Sequence, residues 1–324
     1  MKLSPLPRAL AVVCLGSLLS LWAAPVVHGG ANPLSQGASK REDVACQASA
    51  QPGGVGDMVE SSLKSQVEQI LPEVPGRWGV YVRHLDTGQT VAVSADEIFH
   101  PASTVKLAIG LEVMAWLEQH PQVRLVNAPP GGGRSYQELL YAMLVPSEEE
   151  AAGILLDFLE RQPGLDFEAQ LKTWGAACTT IAPRRATPAD LGLLWGKLYQ
   201  GELLGQAATQ TLLRVLRAPS PPDRERIGGG LPENVRAGLA HKTGTLFQDG
   251  WGVVADGGVV TTPTGAYVIV VIGNGVQWVD LEAAMKLIAR ISRLTYLAFA
   301  APALDAHCDR VWSREVNPRR RAYC

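Results

Sequence analysis

Strand-like sequence in this 324-residue chain is confined to two separated regions of its body, and the stretch between them reads as helix. Trp78–His84 and Gln89–Ser94, joined through Asp86-Thr87-Gly88, have the alternation and turn chemistry of a hairpin. Strand character returns only at Leu239–Phe247, Trp251–Val260 and Ala266–Gly273. From Thr104 to Leu216 the apolar residues recur at helical spacing, in segments at 135–145, 147–160, 166–174, 188–199 and 206–217 punctuated by Pro and Gly. A single sheet must then join strands from both regions, which forces the helical stretch out as an insertion. Amphipathic helices at 57–71, capped by Asp57, and at 281–299, capped by Asp280, are placed to cover that sheet. The expected fold class is α/β: an antiparallel sheet flanked by N- and C-terminal helices and interrupted by an all-α subdomain. Residues 57–102 and 225–300 form the α/β part and 103–224 the all-α part.

The first residues differ from this body. Lys2 and Arg8 precede an uncharged run from Ala9 to Val27, with small residues at Gly29 and Ala31, the pattern of a cleaved export signal over 1–31. A retained N-terminal anchor is the alternative, since the run is almost long enough to span a bilayer. Residues 32–56, rich in Ala, Ser, Gly, Gln and Pro, read as a flexible linker, and 301–324 as a polar, basic tail. Either way the body lies outside the cytoplasm, in a periplasmic or extracellular setting. Removing Cys14 leaves Cys46, Cys178, Cys308 and Cys324, an even number suited to disulfides there. Three pairings are open, and the local pair Cys308–Cys324 would pin the tail. A net charge of −2 gives no footprint for nucleic acid. No metal is expected, because neither the cysteines nor the six histidines have metal-ligand spacing.

Chemistry points first to Phe99-His-Pro-Ala-Ser-Thr-Val-Lys106. Ser103 falls at the start of an apolar helix, with Lys106 one turn further on the same face. A serine hydroxyl becomes a nucleophile when a nearby base takes its proton, and a lysine near the positive end of a helix is placed to do so. Ser-x-x-Lys alone is a weak pattern; a capping serine and a solvated lysine would produce it too. Two further stretches lend it weight. Glu138 to Ala152 places Ser147 at the start of a helix in the α part, and His241-Lys-Thr-Gly-Thr245 lies on an expected edge strand.

Together these stretches resemble the penicillin-recognising serine enzymes, most closely class A β-lactamases and their penicillin-binding relatives. The resemblance runs from about residue 57 to 300 and extends to Ala186-Thr-Pro-Ala-Asp190 and Gly201-Glu-Leu-Leu204. It implies that Ser103 attacks an activated carbonyl while Lys106 helps take its proton. Ser147, within reach of Lys106 and Lys242, would relay a proton to the leaving nitrogen. Backbone N–H groups of Ser103 and Thr245 would form the oxyanion hole. Lys242, Thr243 and Thr245, with Gly244 between them, would hold a substrate carboxylate, and His241 would pack on the strand's other face. The implied substrate is a β-lactam or a peptidoglycan-type peptide, bound by a monomer that needs no cofactor.

Two departures limit what carries over. The second motif reads Ser147-Glu148-Glu149 where the family has Ser-Asp-Asn. Glu149 thus replaces an amide that donates and accepts by a group that, when ionised, only accepts. A carboxylate about 4 Å from Lys106 would also favour its ammonium form by a few kcal/mol. Moreover, class A β-lactamases carry a glutamate that activates the deacylating water on a loop before the Thr-Pro stretch. Here no Asp or Glu occurs between Ala169 and Ala189. The expectation is an acyl-enzyme that forms more readily than it hydrolyses. Alternatives are a penicillin-binding D,D-carboxypeptidase or acyl-transfer enzyme, and a non-catalytic cell-wall or partner-binding protein.

Overall fold

A computed structural model describes residues 55–130, 133–218, 226–248 and 250–312, the stretch 301–312 in backbone only. The expected leader, nearly all of the linker and the Cys308–Cys324 pairing lie outside the described residues.

Five antiparallel strands form one sheet in the order β2-β1-β5-β4-β3, with β1 Arg77–His84, β2 Thr90–Val93, β3 Leu239–Gln248, β4 Trp251–Thr262 and β5 Gly265–Asn274. β1 and β5 are neighbours, Val80 facing Val271 and Val82 facing Ile269, so the N-terminal hairpin joins the C-terminal meander across the sheet. The helical insertion therefore leaves after β2 and returns at β3.

Side-chain alternation along the central strands builds two cores. Tyr81, Val268, Val270 and Ile272 face one side, with the helices of the insertion. Trp78, Val80, Val82, Ile269 and Val271 face the other, covered by α1 (Val55–Ile70) and α9 (Leu281–Trp312). Burial on both faces is why β5 is apolar almost without interruption. α9 runs to Trp312, through Pro302 and beyond the expected end at Phe299.

The insertion holds α2 (Lys106–Gln119), α3 (Tyr136–Leu144), α4 (Glu149–Glu160), α5 (Phe167–Thr173), α6 (Pro188–Gln200) and α7 (Gln206–Leu216), and a short α8 (Glu233–Arg236) precedes β3. Their ends follow local chemistry. Ser135 and Glu138 form a capping box on α3, Asp166 and Thr187 cap α5 and α6, and Gly201 closes α6 in the left-handed region that glycine adopts without steric penalty. α2 is apolar nearly all round and sits at the centre of the helical layer, with Leu107, Leu111 and Val113 fully enclosed. A helix so confined gives the residues at its N-terminus little freedom to move.

Candidate active site

Ser103 lies in a 3-10 turn, Ala102–Val105, and α2 proper begins only at Lys106. Sequence periodicity placed Ser103 at the start of the helix itself, and the tighter turn serves the site better. With three residues per turn, positions i and i+3 eclipse, so the two side chains emerge from one face. Thr104 fastens the turn through its hydroxyl, which donates to Pro101 O at 2.7 Å. Ala102 adopts φ 49°, an unfavourable value for a residue with a Cβ, immediately before Ser103. On the other side the His100 backbone is clamped by the Asn274 amide, which accepts from His100 N and donates to His100 O.

Ser147 takes φ 67° just ahead of α4, two residues before the helix rather than as its cap. This bend turns its hydroxyl and carbonyl towards α2. Lys106 Nζ donates to Ser147 O at 2.8 Å and approaches Ser147 Oγ at 3.4 Å. From β3, Lys242 Nζ donates to the same Oγ at 2.9 Å. The three motifs, separated by 41 and 95 residues, thus meet at one hydroxyl. Gly244 allows β3 to come this close: a Cβ there would stand 3.0 Å from Ser103 N and 2.9 Å from Pro101 O. The backbone of Gly244 accordingly runs beside the Ser103 amide.

Glu149 is drawn into the same cluster. Its Oε1 accepts from Lys106 Nζ at 2.7 Å and, weakly, from Ser103 Oγ at 3.4 Å. Its Oε2 accepts from Arg184 Nη2 at 2.7 Å. Partial burial would raise this carboxyl, but the hydrogen bonds and charges of Arg184 and Lys106 outweigh that and hold it down to about 2. The shortest contacts of Lys106, a carbonyl and a carboxylate, are pure acceptors that suit an ammonium. Glu148 turns away to Arg134 at 2.7 Å.

Arg184 is a site residue that sequence reasoning did not single out. The loop after α5 is pinned at both ends. Asp190 accepts from Cys178 N and the Thr179 hydroxyl, and Ala186 pairs with Phe99 through two backbone hydrogen bonds of 2.9 and 3.0 Å. The segment that delivers Ser103 therefore also holds the loop that delivers Arg184. Arg226 was missed as well. Buried behind β3, it donates to the Thr245 hydroxyl at 2.6 Å and to Ala255 O. Its only sequence signal was one arginine within a polar stretch. His241 lies on the opposite face of β3 from Lys242, its Nδ1 2.9 Å from Asp256 Oδ1. Lys106, Lys242 and Arg184 thus gather on Ser147 and Glu149, the residues beside Ser103, an electrostatic setting for an anionic ligand. Cys178 is disulfide-bonded. Among the described residues, no cluster of His, Cys, Asp or Glu is arranged to hold a metal, and no helix is long and apolar enough to cross a membrane.

Comparison with known proteins identifies the family and the fold. A β-lactamase of Streptomyces fradiae is 28% identical over 250 residues, 67% of this chain and 80% of that one. The β-lactamase AST-1 of Nocardia asteroides is 27% identical over 249 residues, 67% and 77% of the two chains. Among solved structures, a mutant of PBP-A in an acyl-enzyme complex with penicillin G superposes with a TM-score of 0.64 at 25% identity, covering 74% of this chain and 97% of that one. The extended-spectrum β-lactamase TLA-3, at 20% identity and a TM-score of 0.65 over 73% and 98% of the chains, shares the fold. The model of the β-lactamase enzyme family matches residues 62–299, a span that holds the Ser103 turn, the Ser147 bend and the Lys242 strand. This chain belongs to the β-lactamase enzyme family.

Proposed function

We propose that this protein is a serine hydrolase whose Ser103 is acylated by β-lactams or related amide substrates and released only slowly. The observation that carries this reading is the convergence of Lys106 and Lys242 on the Ser147 hydroxyl beside Ser103. Ser103 Oγ attacks the carbonyl carbon while the neutral form of Lys106, a minor fraction beside Glu149, takes its proton and hands it on to Ser147. Charge developing on the carbonyl oxygen is met by the N–H groups of Ser103 and Thr245. Ser147, paired with Lys242, gives a proton to the amide nitrogen as the C–N bond breaks, leaving an ester on Ser103. Lys242, Thr243 and Thr245 hold the substrate carboxylate, with Gly244 keeping the strand close. Glu149, acceptor-only, takes the place of the family's amide, and the Arg184 guanidinium on its far oxygen supplies donors for the acyl side chain.

Hydrolysis of the ester needs a base for water. The loop from Trp174 to Thr187 carries no carboxylate, and Glu149, held at about 2 by two cations, is a weak one. Slow deacylation follows. A penicillin-binding D,D-carboxypeptidase or acyl-transfer enzyme is the second reading, favoured by that same missing base. We also read the protein as exported and monomeric. The N-terminal sequence and the disulfide at Cys178 support export.

Rapid mixing with a chromogenic β-lactam tests the acylation reading. It predicts a burst of product equal to the enzyme concentration, followed by a much slower steady rate. Linear turnover with no burst would mean that deacylation is not limiting, and no reaction at all would refute acylation by β-lactams.

A further inference from the structure

Helix α2 carries a second charge that the acylation chemistry does not use. Glu112 lies six residues beyond Lys106, about 9 Å along the helix axis. It is 5% exposed, and its Oε2 is buried with no hydrogen-bond partner. A buried carboxyl without a partner is costly to keep, and burial pushes this one up to about 7. Yet Glu112 is not sealed into the core. It lines a cavity of about 340 Å³, within the range of small-molecule sites.

The other walls share one chemical character. α2 adds Trp116 and its C-cap residue His120, the turn before α5 adds Gln162 and Asp166, and α5 adds Gln170. The Trp116 and His120 rings stack at 3.9 Å and 13°. His120 Nδ1 lies 2.8 Å from Trp116 O, a carbonyl that only accepts, so Nδ1 is the donor and a neutral ring offers Nε2 as an acceptor. Among the described residues, no lysine or arginine lines the cavity. Two carboxyl groups, an imidazole and amide side chains beside an indole suit a ligand that carries positive charge and N–H donors.

We propose that this cavity is a second, non-catalytic binding site for a small organic cation, an alkylammonium or guanidinium group paired with the Glu112 carboxylate beside Trp116. The site does not rest on the proposed acylation chemistry. Its walls nevertheless lead there: α2 begins at Lys106, and α5 runs into the loop that carries Arg184.

Calorimetric titration of the full chain with n-butylammonium chloride and with n-butylguanidinium chloride, at pH 8 and matched ionic strength, tests this. The expected result is saturable binding of one equivalent of at least one cation. Affinity should fall at least tenfold in Glu112→Gln, which keeps the shape, and in Ala169→Phe, which fills the mouth while leaving Glu112 in place. Lowering the pH to 6 should weaken binding as Glu112 takes up its proton; His120 and Asp166 are the other titratable groups facing the cavity, so the Glu112→Gln variant assigns the effect. No saturable binding of either cation would overturn the proposal, and so would affinity unchanged by Glu112→Gln.

Discussion

Glu149 lies beside the end of helix α2 that follows Ser103 and begins at Lys106, whereas Glu112 lies further along the helix itself. Glu149 bridges Lys106 and Arg184, each at 2.7 Å, and is held down to about 2. Glu112 Oε2 has no hydrogen-bond partner among the described residues, and burial pushes the carboxyl up to about 7. A general base for water works best with a pKa near the operating pH. Of the two, Glu112 has the suitable value but opens into a different cavity. Glu149 has the suitable position, but its cations stabilise the carboxylate too well for it to take a proton. Proximity and basicity have been separated onto different residues, and the proposed slow deacylation is the consequence.

The largest expected effect comes from removing Lys106, the lysine that shares Glu149 Oε1 with the Ser103 hydroxyl and whose neutral form takes the serine proton. Lys106→Ala should slow acylation roughly 10³-fold, measured by stopped-flow with a chromogenic β-lactam, while the pH dependence of stability that Glu112 sets stays as it was. A loss of less than tenfold would mean that another group takes the serine proton.

Glu112 gives the next effect. Its folded pKa lies above the unfolded value of 4.5, so its contribution is most favourable below pH 4.5 and is lost as pH rises towards 7. Allowing for solvent in the cavity, the wild type should lose roughly 2 kcal/mol relative to Glu112→Gln across that window and no more above it. Urea unfolding of both proteins at pH 4.5, 6 and 8 would show this; parallel curves would place Glu112 in contact with water.

Glu149→Gln relieves the ion pair on Lys106 and restores an amide donor. Acylation should rise by about tenfold, or about 1.4 kcal/mol, with the lifetime of the acyl-enzyme changed less than threefold in single-turnover assays. If deacylation is instead abolished while acylation persists, Glu149 is the base and the contrast with Glu112 collapses. The smallest effect is that of Arg184→Ala. It removes one of two cationic partners of a partly exposed carboxylate, an interaction worth less than about 1 kcal/mol, and should move the Glu149 titration upward by less than about one unit in carboxyl-selective NMR.

These residues also mark how far sequence reasoning reaches. The separation of strand and helix periods led to one sheet shared by the two strand regions, but a hairpin can join a meander at either edge, and only the structure shows that β1 meets β5. Ser103, Lys106, Ser147 and Lys242 were legible because each sits in a local motif. The Glu149–Arg184 pair was not, since it spans 35 residues and depends on how a short loop is anchored to Phe99 and Asp190. The bend at Ser147 was equally hidden, as serine carries no signal for a positive φ. Glu112 left a trace that was readable: a single carboxylate amid Ile109, Leu111, Val113 and Met114, on a helix too apolar to have a solvent face there.

The most direct test of the account is intact-mass spectrometry after exposure to a penicillin, followed over time, with Ser103→Ala in parallel. The account predicts a one-to-one adduct of the whole drug mass that persists well beyond its formation and is absent from the variant. An adduct that vanishes as fast as it forms, with the drug hydrolysed, or one that survives in Ser103→Ala, would contradict it.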